Sequence, residues 1–110
     1  MEEISFEEWQ RMDFRVARIT AAKPHPNADK LYVLEVDLKG KKRTLVAGLR
    51  QHYTEEQLKG KLCIVFCNLK PAVIRGVKSE GMLLAAEDKD KGKVVLIAPE
   101  SEVEPGSKVK

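Results

Sequence analysis

Few groups in this chain have the chemistry of catalysis, and none has the spacing that catalysis needs. The only imidazoles are His25 and His52. His25 stands between Pro24 and Pro26, where a turn role is expected, and His52 precedes Tyr53 and a helix start, as a packing or solvent-facing residue would. Two thiols, Cys63 and Cys67, share an apolar run. On a strand their Cα atoms would be about 13 Å apart, too far for a disulfide, and the spacing is not that of a zinc knuckle. Both read as core filler. The acid pairs Glu55-Glu56 and Glu87-Asp88 fall at a helix start and in a turn, places that favour acids for structural reasons. The glycines match neither a phosphate-binding loop nor a dinucleotide-binding turn, and Ser79 is not in a nucleophile elbow. No catalytic residue, metal or cofactor is expected.

The material for binding is richer. Asn27, Asp29 and Lys30 form one cluster, and Lys42 and Arg43 form a second. Lys70, Arg75 and Lys78 form a third, leading into Ser79-Glu-Gly-Met82. Lysine and arginine meet phosphates, while asparagine and serine hydrogen-bond ribose or base edges. Met82, after Gly81, either offers a soft apolar contact to an exposed base or opens a core strand. The chain carries 20 basic and 17 acidic residues, a net +3, unevenly spread. Residues 1–13 hold one base and five acids; residues 14–78 hold fourteen bases and five acids, a net +9; residues 79–110 hold five bases and seven acids. A basic body between acidic ends suits a polyanion, whose phosphates release counterions on contact. The alternative is a solvated lysine-rich surface.

Those side chains need elements to hold them. Residues 5–12 predict a short helix, with Ser5 and Glu8 as a capping box and Ile4 and Trp9 in the staple positions. Phe6, Trp9 and Met12 then share a face that needs a partner. Residues 14–22 read as a strand whose apolar phase flips midway, which predicts a bulge of the kind that coils the first strand of a small barrel. Residues 23–30 are a proline-bounded loop, and residues 31–39 are a strand with Tyr32, Leu34, Val36 and Leu38 on one side. Gly40-Lys-Lys42 turns the chain into a strand over residues 43–47. Thr54-Glu-Glu-Gln57 caps a second short helix that Gly60 closes. A buried strand covers residues 62–67, residues 68–79 are irregular around Pro71 and Gly76, and residues 82–86 and 94–98 are two further strands.

Five short strands with a helix between the third and fourth outline an all-β OB-fold barrel, here with a short N-terminal helix and a C-terminal strand extension. An antiparallel meander is the competing topology. In an OB-fold the loops joining strands 1–2 and 4–5 flank one face, which would bring Asn27 and Lys30 beside Arg75 and Ser79. The 110 residues suit one domain, burying about 65% of the unfolded surface. The longest strictly apolar run is six residues, far short of the ~20 that a bilayer needs, and the Met-Glu-Glu start has no leader character. A cytoplasmic protein with no membrane partner is expected. Only six aromatics are present, and Phe6, Trp9, Phe14 and Phe66 are expected to pack. Tyr32, and then Tyr53, remain as rings near the binding face. Single-strand binders stack bases on such rings at about 1–3 kcal/mol each. A reader of folded RNA is therefore expected ahead of a general single-strand binder.

Four segments carry a resemblance: His25-Pro-Asn-Ala-Asp-Lys-Leu-Tyr32, Arg43-Thr-Leu-Val-Ala-Gly-Leu49, Asn68-Leu-Lys-Pro71 and Arg75-Gly-Val-Lys-Ser-Glu-Gly-Met82. In this order they resemble the tRNA-binding domain family over most of the chain. That family includes the C-terminal domain or beta subunit of methionyl-tRNA synthetases, a small stand-alone bacterial tRNA-binding protein, and a domain related to endothelial monocyte-activating polypeptide. The resemblance implies an OB-fold that binds tRNA by shape near its elbow without catalysis, as a homodimer when it stands alone. A methionyl-tRNA synthetase catalytic subunit becomes a candidate partner. Lys30, Ser79 and Met82 match family binding positions, with Asn27 and Arg75 as neighbours. Together with Arg43 and Lys70 from the basic clusters, these make the expected RNA-binding set. The chaperone-like branch lacks the His-Pro-Asn-Ala-Asp-Lys loop and ranks below tRNA binding. A dimer has its own rationale: about four phosphate contacts give a salt slope near −3, and a second copy adds avidity.

Overall fold

A computed structural model describes all of residues 1–110. Helix α1 (Phe6–Gln10) starts where the capping box places it: Ser5 Oγ accepts the Glu8 N–H and Glu8 Oε1 accepts the Ser5 N–H, both at 3.2 Å. It ends at Gln10 rather than Met12, and its staple does not close. Ile4 stays exposed, while Trp9 stacks on Phe14 with centroids 5.6 Å apart. Phe14 in turn meets Phe66 at 4.8 Å. Phe6, expected to pack, is 69% exposed.

Strand β1 (Phe14–Pro24) serves two partners. Its first half pairs with β4 (Leu62–Phe66), and its second half pairs with β2 (Tyr32–Asp37), both antiparallel. The register slips between Ile19 and Ala21, which makes the predicted bulge at Thr20. There the Thr20 hydroxyl donates to Glu35 O at 3.1 Å and Glu35 Oε1 at 2.9 Å. The Thr20 bond, and then Lys42 at 3.2 Å, hold the Glu35 carboxyl below its usual range. β1 runs two residues further than expected, because Lys23 and Pro24 pair with Val33 and Tyr32. A proline is tolerated there, at the end of a strand, where its missing N–H is not needed.

β2 joins β3 (Lys42–Ala47) through Lys39-Gly40, earlier than the expected Gly40–Lys42 turn. Both central residues have positive φ, 64° and 84°, as a type I′ turn demands. Lysine in this left-handed region costs about 1 kcal/mol relative to glycine. Helix α2 (Glu55–Leu58) has its own complete capping box at Thr54 and Gln57, and it drives Leu58 fully into the core.

Residues 68–79, expected to be irregular, contain a second hairpin. β5 (Ala72–Ile74) pairs with β6 (Val77–Ser79) around Arg75-Gly76, where φ is 53° and 90°. Pro71 lies just outside the ladder and leaves it intact. β7 (Met82–Leu83) then pairs with β4. The sheet order β3-β2-β1-β4-β7 nearly closes on itself. The closing bonds run from Glu80 N–H to Thr44 O at 2.8 Å, from Thr44 N–H to Glu80 Oε1 at 3.0 Å, and from Val46 N–H to Ser79 Oγ at 3.0 Å. The result is a five-stranded antiparallel barrel of the OB type with two short helices.

The expected strand over residues 82–86 breaks at Leu84, whose N–H reaches Ile64 O at 3.0 Å. β8 (Ala85–Asp88) then leaves the barrel and pairs with β9 (Lys93–Leu96), forming the C-terminal extension. A short β10 (Lys108–Val109) returns to β1. Ile19, Leu34, Val36, Leu45, Leu58, Cys63 and Val65 fill the barrel. Tyr32, expected near a binding face, is part of this core and donates its hydroxyl to Tyr53 O at 2.8 Å. No helix is long and apolar enough to cross a membrane.

Candidate nucleic-acid interface

The loop between β1 and β2 is held by one buried imidazole. His25 is 3% exposed. Its Nδ1 accepts the Asn27 N–H at 2.9 Å, so Nε2 carries the proton and donates it to Ile74 O at 2.9 Å. Pro24 and Pro26 supply no competing N–H on either side. Asn27 Nδ2 donates to Arg75 O at 3.3 Å, beside the first bond. The loop is therefore tied to the tip of the β5–β6 arm. On its other side, the Arg50 N–H reaches Lys30 O and Arg50 Nη1 reaches Ala28 O, each at 3.4 Å.

These ties use backbone groups and leave cations over. Lys30, Arg75 and Lys78 are exposed, and their side chains make no ion pair within the chain. Ser79 is 4% exposed: its hydroxyl accepts from Val46 and donates to Gly81 O at 2.9 Å. It closes the barrel from within rather than facing solvent. Val46 pairs with Val33, three residues beyond Lys30, so Lys30 and Ser79 share one rim. Met82 is 51% exposed, which excludes the reading of it as a core residue.

Two expected members stand elsewhere. Lys70 lies exposed at the root of the arm. Arg43 pairs with Val36 at the far end of β2, and its Nη1 donates to Cys67 O at 2.5 Å and Glu80 O at 3.2 Å. Arg50, by contrast, joins the Lys30 loop although no motif marks it. Its only sequence signal is its position three residues past the third strand, whose end an OB topology aims at the strand 1–2 loop.

Burial pushes the Cys63 thiol up to about 12 and raises that of Cys67 as well. Thiols held protonated in this way are poor nucleophiles and poor ligands. No group of three or more His, Cys, Asp or Glu is placed to hold a metal ion. What the rim offers is donors and positive charge on a rigid frame, the chemistry of phosphate and ribose contact.

Known proteins resemble this arrangement throughout the chain. The family described as "Putative tRNA binding domain" matches residues 14–108. The methionine–tRNA ligase of Pyrococcus furiosus is 49% identical over 110 residues, and that of Archaeoglobus fulgidus is 49% identical over 108 residues. The chain spans only 15% and 16% of the length of those two proteins. Among solved structures, a MetRS-related protein from Pyrococcus horikoshii superposes with a TM-score of 0.91 at 37% identity, covering both chains in full. The chaperone CsaA from Bacillus anthracis gives 0.87 at 27% identity, covering 99% of this chain and 100% of that one. With its barrel, its motif order and its matched length all in agreement, this chain belongs to the tRNA-binding domain family.

Proposed function

We propose that this domain binds folded tRNA by shape, without catalysing a reaction, at the rim where the residue 25–31 loop meets the β5–β6 arm. The observation that carries this reading is the pair of bonds across that rim, His25 to Ile74 and Asn27 to Arg75. They hold the loop and the arm together before any ligand arrives, so association need not order them. Lys30, Arg75, Lys78 and Arg50 then supply phosphate contacts. Asn27 is available to ribose, and Met82 offers an apolar edge to an exposed base. Lys70 extends the charge toward the root of the arm, and Ser79 positions the rim from inside.

Lys30→Ala is expected to weaken tRNA binding several-fold and to flatten the log–log salt slope by roughly 0.7–0.9, with the melting temperature unchanged. Wild-type affinity in the folded variant would remove Lys30 from the site. Intact tRNA should shift in a gel at concentrations where an anticodon stem-loop and a minihelix do not. Equal binding of short single strands would instead favour a general single-strand binder.

In this reading the domain works in the cytoplasm as a homodimer, or supplies tRNA affinity to a methionyl-tRNA synthetase. The exposed Phe6 and the partly exposed Trp9 support pairing with a second copy, since large apolar side chains rarely stay in water together without a partner. A solution mass of one chain at micromolar concentration would oppose the homodimer.

A further inference from the structure

Two non-glycine residues in the chain have positive φ, Lys39 and Arg75. Both are cations, and both precede a glycine at the first central position of a two-residue hairpin turn, where asparagine, aspartate or glycine is the comfortable choice. Strain of this kind persists where the side chain is needed. Arg75 stands on the proposed RNA rim. Lys39 does not. It stands past the other end of β2, whose six residues, about 20 Å of strand, separate it from the Lys30 loop.

Around Lys39 the fold gathers a basic pocket of about 420 Å³, lined in part by Lys41, Arg15 and Arg43. Both guanidiniums are fixed by the protein. Arg15 Nε donates to Asp13 at 2.9 Å and its Nη1 to Gly106 O at 3.1 Å, while Arg43 holds Cys67 O and Glu80 O. Each keeps donors unused. Asp13 is the only carboxylate in the lining. Asp37 is turned to the Gly40 N–H and Glu80 to the Thr44 N–H. Two preorganised guanidiniums with two lysines at the mouth suit a phosphate group.

We infer that the pocket formed by Arg15, Lys39, Lys41 and Arg43 is a second phosphate-binding subsite, occupied by a backbone phosphate of the same RNA that the Lys30–Arg75 rim holds. The inference rests on the proposed tRNA-binding role and extends it. An anion that reaches both places must be an extended one, so the RNA lies along β2 and β3 rather than touching the loops alone. It also gives Arg43 a place in recognition, away from the rim.

The test compares tRNA affinity and its salt dependence in wild type, in Lys39→Asn/Lys41→Gln, and in Lys89→Gln/Lys91→Gln. The last pair removes the same charge from the exposed β8–β9 turn. The Lys39 pair should lose about five- to tenfold near 100 mM salt and flatten the slope by roughly one to two. Its melting temperature should hold or rise by a few degrees, because asparagine suits the turn better. The Lys89 pair should stay within about twofold of wild type. Equal losses in the two pairs, or none in either, would overturn the subsite. Lys30→Ala in the same assay separates the two levels: loss there alone overturns only the subsite, no loss in any variant removes the Lys30–Arg75 rim as well, and a wild type that fails to bind tRNA overturns the tRNA reading itself. Inorganic phosphate at constant ionic strength should leave wild-type binding unchanged. Displacement of tRNA by millimolar phosphate in wild type but not in the Lys39 variant would assign the pocket to a free phosphate and overturn the inference.

Discussion

Gly81→Ala is expected to destabilise the domain by about 3 kcal/mol or more, the sum of backbone strain and a steric clash, each of order 1–3 kcal/mol. Gly81 has φ of 144°, a region essentially closed to residues with a Cβ. A Cβ built there would lie 2.8 Å from Phe66 O and 3.3 Å from Val65 Cγ1. The nearer atom is backbone at the end of β4, where Phe66 is paired to both Phe14 and Met82, so it has little room to give. The reason for the close approach is barrel closure. Ser79 donates to Gly81 O, Glu80 bonds across to Thr44, and Met82 pairs opposite Phe66, all within four residues. A loss of this size is a large share of the roughly 5–15 kcal/mol that such domains possess. It would lower the melting temperature by on the order of 10 °C. Urea melts should show a lower midpoint with an unchanged slope. A Gly81→Ala protein as stable as wild type would mean that this segment does not close the barrel.

His25→Asn is expected to separate RNA affinity from stability. The asparagine Oδ1 can still accept the Asn27 N–H two residues on, as in an Asx turn, so the loop keeps its local shape. It cannot reach Ile74 O, and the arm is released. Affinity for tRNA should fall about tenfold, because the RNA must then order the arm against the loop itself. Stability should fall by only about 1–2 kcal/mol, the effect of leaving one carbonyl without its buried donor. The salt slope should stay near that of wild type, since no phosphate contact is removed. That distinguishes His25, a positioning residue, from Lys30. Lost affinity with an equally flattened slope would show that the imidazole touches the RNA itself.

Much of this architecture is written locally. The two capping boxes, the alternation in β2, the bulge at Thr20 and the glycine that ends α2 each depend on residues a few positions apart. Periodicity and turn chemistry therefore reveal them. The hairpin over residues 72–79 is harder to see. Its strands have three residues each, too short for a period, and its turn uses arginine where asparagine is usual. The side on which a residue ends up is also not always local. Met82 fits either face by type, and the pairing of β7 with β4 turned it outward, whereas Tyr32 went inward with Leu34 and Val36, the side its alternation had already given it.

The amino-acid sequence by itself determined most of the elements, though not the hairpin over residues 72–79, together with the basic middle of the chain and the family through four ordered motifs. The tertiary structure decided which cations lie together. His25 and Ile74 are 49 positions apart, and Arg43 and Cys67 are 24 apart. No local propensity encodes such a meeting. It exists because a coiled sheet closes into a cylinder, which places Lys30 and Arg75 on one rim and carries Arg43 to the opposite end of the same two strands.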